Sequence, residues 1–186
     1  MVRRDLITEI LETMDNGFTS AAFWVVLAIA LIELILSAKW VSLYFTFGIP
    51  IFRKTAHLEQ DKRPKLDPML LQNSFVSDGW QKLLFHSLDT KTIAIREKLF
   101  NFAKYWQYTP IMRGVVRFDE TASVVTITGY LNWTTVLIIA FFLLLPFYIF
   151  QDFISMGFVI FLFIVLAYIY KIQAARYTEV LDLVTG

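Results

Sequence analysis

Cysteine is absent from this 186-residue chain. Its absence removes disulfides, thiolate nucleophiles, zinc–cysteine centres and cysteine-ligated iron–sulfur clusters together. Histidine is almost absent: only His57 and His86 occur. Metal ligation calls for three or four converging ligands. His57 has only Glu59 and Asp61 near it in sequence, and His86 follows the apolar run LLF and reads as packed in a domain. Charge is sparse, at 18 % of residues, with 17 basic against 16 acidic side chains. A net charge of +1 gives little bulk attraction for nucleic acid, whose binding depends on counterion release. No Walker sequence, G-x-G-x-x-G or G-x-S-x-G elbow is present, so no enzyme signature marks the chain. The expectation is a non-enzyme with no catalytic residue, no cofactor and no metal.

What the chain has in abundance is apolar surface. Hydrophobic residues make up 57 % of it, with 18 Phe, too many for an ordinary soluble domain. They concentrate in residues 21–38 and in residues 133–170, the second block interrupted only near Gln151 and Asp152. A helix of about 20 mostly apolar residues crosses a bilayer with its backbone hydrogen bonds satisfied internally. The expected fold class is therefore integral membrane α+β. One transmembrane helix occupies 20–40, and a helical hairpin follows at 131–150 and 154–171. A small β-rich domain at 41–130 is inserted between the first span and the second. The first block follows an acidic stretch (Asp5, Glu9, Glu12, Asp15) and is longer than the apolar region of a secretory signal, so it reads as a retained anchor.

Residues 1–19 carry Leu6, Ile7, Ile10, Leu11 and Met14 at helical spacing, an amphipathic helix ended by Asn16-Gly17. After the first span, Val41, Leu43, Phe45, Phe47 and Ile49 alternate with smaller or more polar residues and predict a strand. Residues 53–67, polar and proline-containing, predict a surface loop. Weaker elements follow around 81–86 and 92–100, the latter read as a strand. The clearest pattern is IMRGVVRF, then DETA, then SVVTITGY, an antiparallel hairpin over 111–130. Phe100, Phe102, Tyr105, Trp106 and Tyr108 read as domain core or membrane-facing rim, since only Lys98 and Lys104 accompany them as a stacking surface would need. Residues 172–186 form an amphipathic tail lying along the domain or the interface.

Three spans put the middle domain and the C-terminus on one side and the N-terminus on the other. Near the membrane the domain side carries Lys39, Arg53, Lys54, Arg113, Arg117, Lys171 and Arg176, against Arg3 and Arg4 opposite. The positive-inside rule places the domain and C-terminus in the cytoplasm. That sidedness also discounts Asn132-Trp133-Thr134 as a glycosylation triplet.

Glu33 is the leading candidate site residue, an ionisable group about 9 Å inside the first span from its Lys39 end. Ala30, Glu33 and Ser37 share one helical face suited to close packing, and Thr135 and Tyr168 stand at similar depth on the other spans. A hydrogen-bonded acid holding helices together is weighed above a charge meeting a partner subunit, and both above a proton or ion relay, because a lone acid makes a poor relay. Lys39, Trp40, Arg53, Lys54, Lys62, Arg63 and Lys65 form a juxtamembrane set for lipid or partner contact. The expected function is a non-catalytic accessory, scaffold or assembly subunit of a larger membrane complex. Its partners would be membrane lipids and other membrane subunits or further copies of itself, and not nucleic acid. The alternatives are an oligomeric channel or transporter component built on Glu33, and a membrane-anchored sensor recruiting a soluble partner.

Overall fold

The computed structural model describes residues 21, 24–58, 64–74, 83–97, 110–148 and 153–186. The N-terminal amphipathic helix, the aromatic run 100–108, Lys62, Arg63 and the turn at Gln151–Asp152 lie outside the described residues. The first described helix is α1, Trp24–Ala38. It ends in a turn where Trp40 takes a left-handed backbone, φ 53°, and α2 follows at once, Ser42–Thr46. Then come β1 (Pro50–His57), α3 (Pro68–Ser74), β2 (Leu83–Asp89), β3 (Thr92–Glu97), β4 (Met112–Asp119), β5 (Val124–Leu131), α4 (Trp133–Tyr148) and α5 (Phe153–Thr185).

The five strands form one antiparallel sheet in the order β1-β5-β4-β3-β2. β2 to β5 are a simple meander of neighbours in sequence, and β1 closes on β5. That pairing sets Pro50 opposite Tyr130, so the chain enters the sheet and leaves it at the same end. The last turn of α1 and the first turn of α4 therefore stand beside each other. The predicted hairpin over 111–130 is present as β4 and β5. At its tip the Asp119 carboxylate accepts from the Thr121 hydroxyl and from the backbone N–H groups of Thr121 and Ala122. Those bonds, the Thr121 hydroxyl first, hold this carboxyl below its usual range.

The sheet is buried on both faces by different elements. On one face lie Leu83, Phe85, Ile93, Ile95, Val116 and Ile127, covered by Tyr177, Val180, Leu181 and Val184 of α5 and by Leu71 of α3. The four α5 positions follow i, i+3, i+4, i+7, one stripe of a helix, and each buried side chain of this size contributes about 1.5–3 kcal/mol. Gly114 and Gly129 are cross-strand partners beneath the Tyr177 ring. A Cβ on Gly114 would stand 2.8 Å from Tyr177 Cε2, so the glycine pair makes the slot in which the ring lies. On the opposite face Ala94 and Val115 pack under Tyr44 and Phe45 of α2, with Trp40 and Leu36 at the margin.

Three sequence expectations are corrected. Residues 41–49 are not a strand: Ser42–Thr46 is a turn of helix, which buries the adjacent pair Tyr44 and Phe45 on one side where a strand would split them. Residues 53–57 are not loop but the second half of β1. Its charged residues Arg53 and Lys54 are accommodated because β1 is an edge strand with exposed positions. The tail is not a separate element: α5 runs 33 residues without a break, and the docking expected of 172–186 is made by its last turns. The upstream part of the same helix exposes Ile160, Phe161, Phe163 and Ile164. Among the described residues, Val159–Thr185 is the one helix long and apolar enough to cross a membrane, and α1 is a shorter apolar helix.

Candidate functional site

The shared entry and exit of the sheet concentrates polar groups between α1, α2 and α4. Glu33, on the buried side of α1, accepts hydrogen bonds from Tyr44 Oη at 2.8 Å, from the backbone N–H groups of Trp133 (2.8 Å) and Thr134 (2.7 Å), and from the Thr134 hydroxyl. Trp133 and Thr134 open α4, and the first N–H groups of any helix have no partner inside it. Asn132 stands where a capping side chain belongs. Its amide instead donates to the Pro110 carbonyl at 2.7 Å, and its oxygen lies 3.5 Å from Arg113 Nη1. Glu33 takes over the cap from another helix, with a negative charge suited to a helix N-terminus.

Arg113 does the converse for carbonyls. Only 2 % exposed, it sits on β4 and donates from Nε to Tyr44 O (2.7 Å), from Nη2 to Phe47 O (2.7 Å) and from Nη1 to Leu131 O (2.8 Å). Two of these are carbonyls at the end of α2, and the third is at the end of β5. A planar fork of five donors reaches all three at once, which the single ammonium of a lysine does not. The guanidinium lies 3.9 Å from the Tyr44 ring centroid and its Nη1 is 3.7 Å from Glu33 Oε1. Burial, and then the neighbouring Glu33 charge, push the Tyr44 phenol well above its ordinary value. Burial lowers Arg113, opposed by Tyr44 and Glu33.

A second buried pair, Glu97 and Arg176 at 3.5 Å, fastens β3 to α5. Nearby, Gln173 accepts from the Ile111 N–H at 3.2 Å. Arg96, one residue before Glu97 and on the opposite face, lies 4.6 Å over the Trp40 ring, with Nη1 3.5 Å from Ser37 Oγ. Trp40 also stacks on Phe45 and on the exposed His86, which covers the ring from outside the domain core. Between these groups is a cavity of about 260 Å³. α1 lines it with Leu27, Ala30, Leu31 and Leu34, α4 with Thr134, Thr135 and Ile138, and the sheet end with Arg96, Glu97 and Arg113.

The candidate residues thus separate into groups. Ala30, Glu33, Ser37 and Thr135 meet at this cavity. Tyr168 is 62 % exposed on α5 and does not line it. Lys39 is exposed at the end of α1 and Trp40 belongs to the stack over Arg96. Arg53 lines a groove on the open part of the sheet with Lys91 and Arg117. Lys54 is its exposed neighbour, and Lys65 lies apart, its backbone N–H bonded to Val184 O near the end of α5. In the sequence Arg113 and Arg176 stand out only as membrane-flanking bases, and nothing marks Tyr44 or Arg96 as site residues. The one available signal was an acid inside an apolar span, which demands a counter-charge somewhere. Among the described residues no three His, Cys, Asp or Glu side chains converge to hold a metal ion. Compared with known proteins, the chain matches no family model, no curated protein and no solved structure.

Proposed function

We propose that this chain is a three-span integral membrane protein acting as a non-catalytic accessory or assembly subunit, its sheet domain and C-terminus in the cytoplasm. The spans are α1, α4 and the first part of α5, and the side is set by the basic residues flanking the domain. The observation that carries the accessory role is the use of Glu33. Among the described residues every hydrogen bond that its carboxylate makes goes to a fixed group of the chain itself, three of the four to the capped end of α4. A relay needs an acid that exchanges protons with a path; a carboxylate spent as a helix cap has no lone pair to spare. The effect is to bind α1, α4 and the sheet into one unit, while α1 and α5 keep exposed apolar faces (Ile32, Ile35, Phe161, Ile164) for lipid and neighbouring subunits.

Purification from the native membrane in mild detergent, with mass determination and chemical cross-linking, tests the reading. The expected result is a complex containing other membrane chains. A monomer with no cross-linked partner overturns it. Selective ion flux through vesicles holding the pure chain overturns it in favour of the channel.

A further inference from the structure

We infer that the cavity between α1, α4 and the end of the sheet is the binding site of one anionic membrane phospholipid. Its phosphate would sit on Arg96 and the start of an acyl chain along Leu27, Leu31 and Ile138. The inference rests on the membrane placement proposed above and not on the accessory role.

Of the arginines gathered here, Arg113 has Glu33 at 3.7 Å and Arg176 has Glu97 at 3.5 Å. Arg96 has no carboxylate within ion-pair distance among the described residues. Its hydrogen bond to Ser37 is long, 3.5 Å, and its buried Nε has no partner among the described residues. A guanidinium drawn partly out of water, stacked on an indole and with no carboxylate partner among the described residues, is a receptor for an anion. Phosphate oxygens match its planar fork, and basic pockets between membrane helices are where anionic headgroups bind. Glu33 and Glu97 also border the cavity, but each is engaged by its own arginine.

Ser37 and Arg96 mark the polar end of the cavity, level with the last turn of α1. Leu27 lies about 15 Å along the helix from Ser37. Leu27 and Leu31 are 37 % and 51 % exposed, so the apolar end opens sideways toward lipid. The volume, about 260 Å³, falls below the roughly 300–1,000 Å³ of pockets that enclose a small molecule whole. It suits a headgroup phosphate and the first part of a chain whose remainder continues into the bilayer.

The test uses the full chain purified in mild detergent. It is titrated with phosphatidylglycerol, with phosphatidylcholine of the same acyl chains, and with water-soluble glycerol phosphate, and read by native mass spectrometry and by thermal unfolding. The expected result is retention of one phosphatidylglycerol and a raised melting temperature. Phosphatidylcholine should be retained about tenfold less, and glycerol phosphate should not bind. Arg96→Gln should weaken phosphatidylglycerol about tenfold or more, while Arg117→Gln, in the separate groove beside Arg53 and Lys91, should leave it unchanged. Ala30→Phe, which fills the apolar end and leaves Arg96 in place, should also expel the lipid, and circular dichroism confirms that each variant is folded. Equal retention of the two lipids, binding of glycerol phosphate as tight as that of the lipid, or wild-type retention by folded Arg96→Gln or Ala30→Phe overturns the inference. Extraction of membranes with alkaline carbonate separates the two failures. Release of the chain refutes the membrane placement, whereas a chain that stays in the membrane but shows no lipid preference refutes the site alone.

Discussion

Glu33 and Arg113 lie 3.7 Å apart, both buried, yet each makes its shorter bonds elsewhere: Glu33 to the first N–H groups of α4, Arg113 to the last carbonyls of α2 and β5. The pair is the centre of a polar network in which two opposite charges each complete a backbone end.

Breaking such a buried pair from one side leaves a charge without its partner, at a cost of about 3–5 kcal/mol. Glu33→Gln and Arg113→Met should each destabilise the chain by about that amount, and the double variant by clearly less than their sum. Denaturant titration in detergent, followed by tryptophan fluorescence, gives the coupling. Strictly additive losses would refute the network.

Gly114→Ala should cost about 1–3 kcal/mol, because the new Cβ would stand 2.8 Å from the Tyr177 ring, a rigid group held under α5. Gly129→Ala meets the flexible Met112 Sδ at 2.8 Å but Phe52 Cβ and the Tyr177 ring only at 3.1 and 3.3 Å, so its rigid contacts are looser than those at Gly114 and it should cost somewhat less. In the Gly114→Ala background, Tyr177→Leu should recover part of the loss. A Gly114→Ala melting temperature equal to wild type would show that the ring is not held against the strand.

Alkaline pH should weaken the fold through Tyr44. Its phenol is raised above the ordinary value by burial and by Glu33, while the unfolded chain ionises it near 10. A raised folded value favours the native state fully below the unfolded one, and that contribution is lost as pH rises above about 10. Tyr44→Phe should lower stability at neutral pH by the lost bond to Glu33 and flatten the alkaline fall. An unchanged alkaline slope in Tyr44→Phe would assign the effect to other groups.

The cysteine-free sequence makes sidedness directly measurable. Single cysteines placed at Thr121, in the β4–β5 turn, and at Gln151, between the last two proposed spans, should behave oppositely in intact cells. The residue-151 thiol should react with a membrane-impermeant maleimide and the residue-121 thiol only after lysis. Labelling of both, or the reverse order, would refute the proposed topology.

The hairpin, β3 and the apolar helices were legible because each shows one period over enough residues. The failures were of three physical kinds. Over 41–49 the alternation imitated a strand, but a five-residue helix is too short to show its own period, and only the shared burial of Tyr44 and Phe45 reveals it. Arg53 and Lys54 resembled loop because an edge strand tolerates charge. The last expected span ends at 171 because the apolar block ends there, yet the helix runs on without a break and Arg176 is where α5 meets Glu97 of the sheet. Glu33 could be singled out from sequence alone; its partners could not, since Arg113 and Trp133 are brought to it only by the β1–β5 pairing.

The uninterrupted α5 has a mechanical meaning in the three-span reading. At 1.5 Å per residue its 33 residues make a rod of roughly 50 Å, one end solvated by acyl chains and the other bolted under the sheet by Tyr177, Val180, Leu181 and Val184. With no joint between the two ends, that reading ties the stand-off of the sheet from the bilayer to bilayer thickness. In the proposed topology a thicker membrane would draw the rod upright and a thinner one would tilt it, and the sheet would be carried with it.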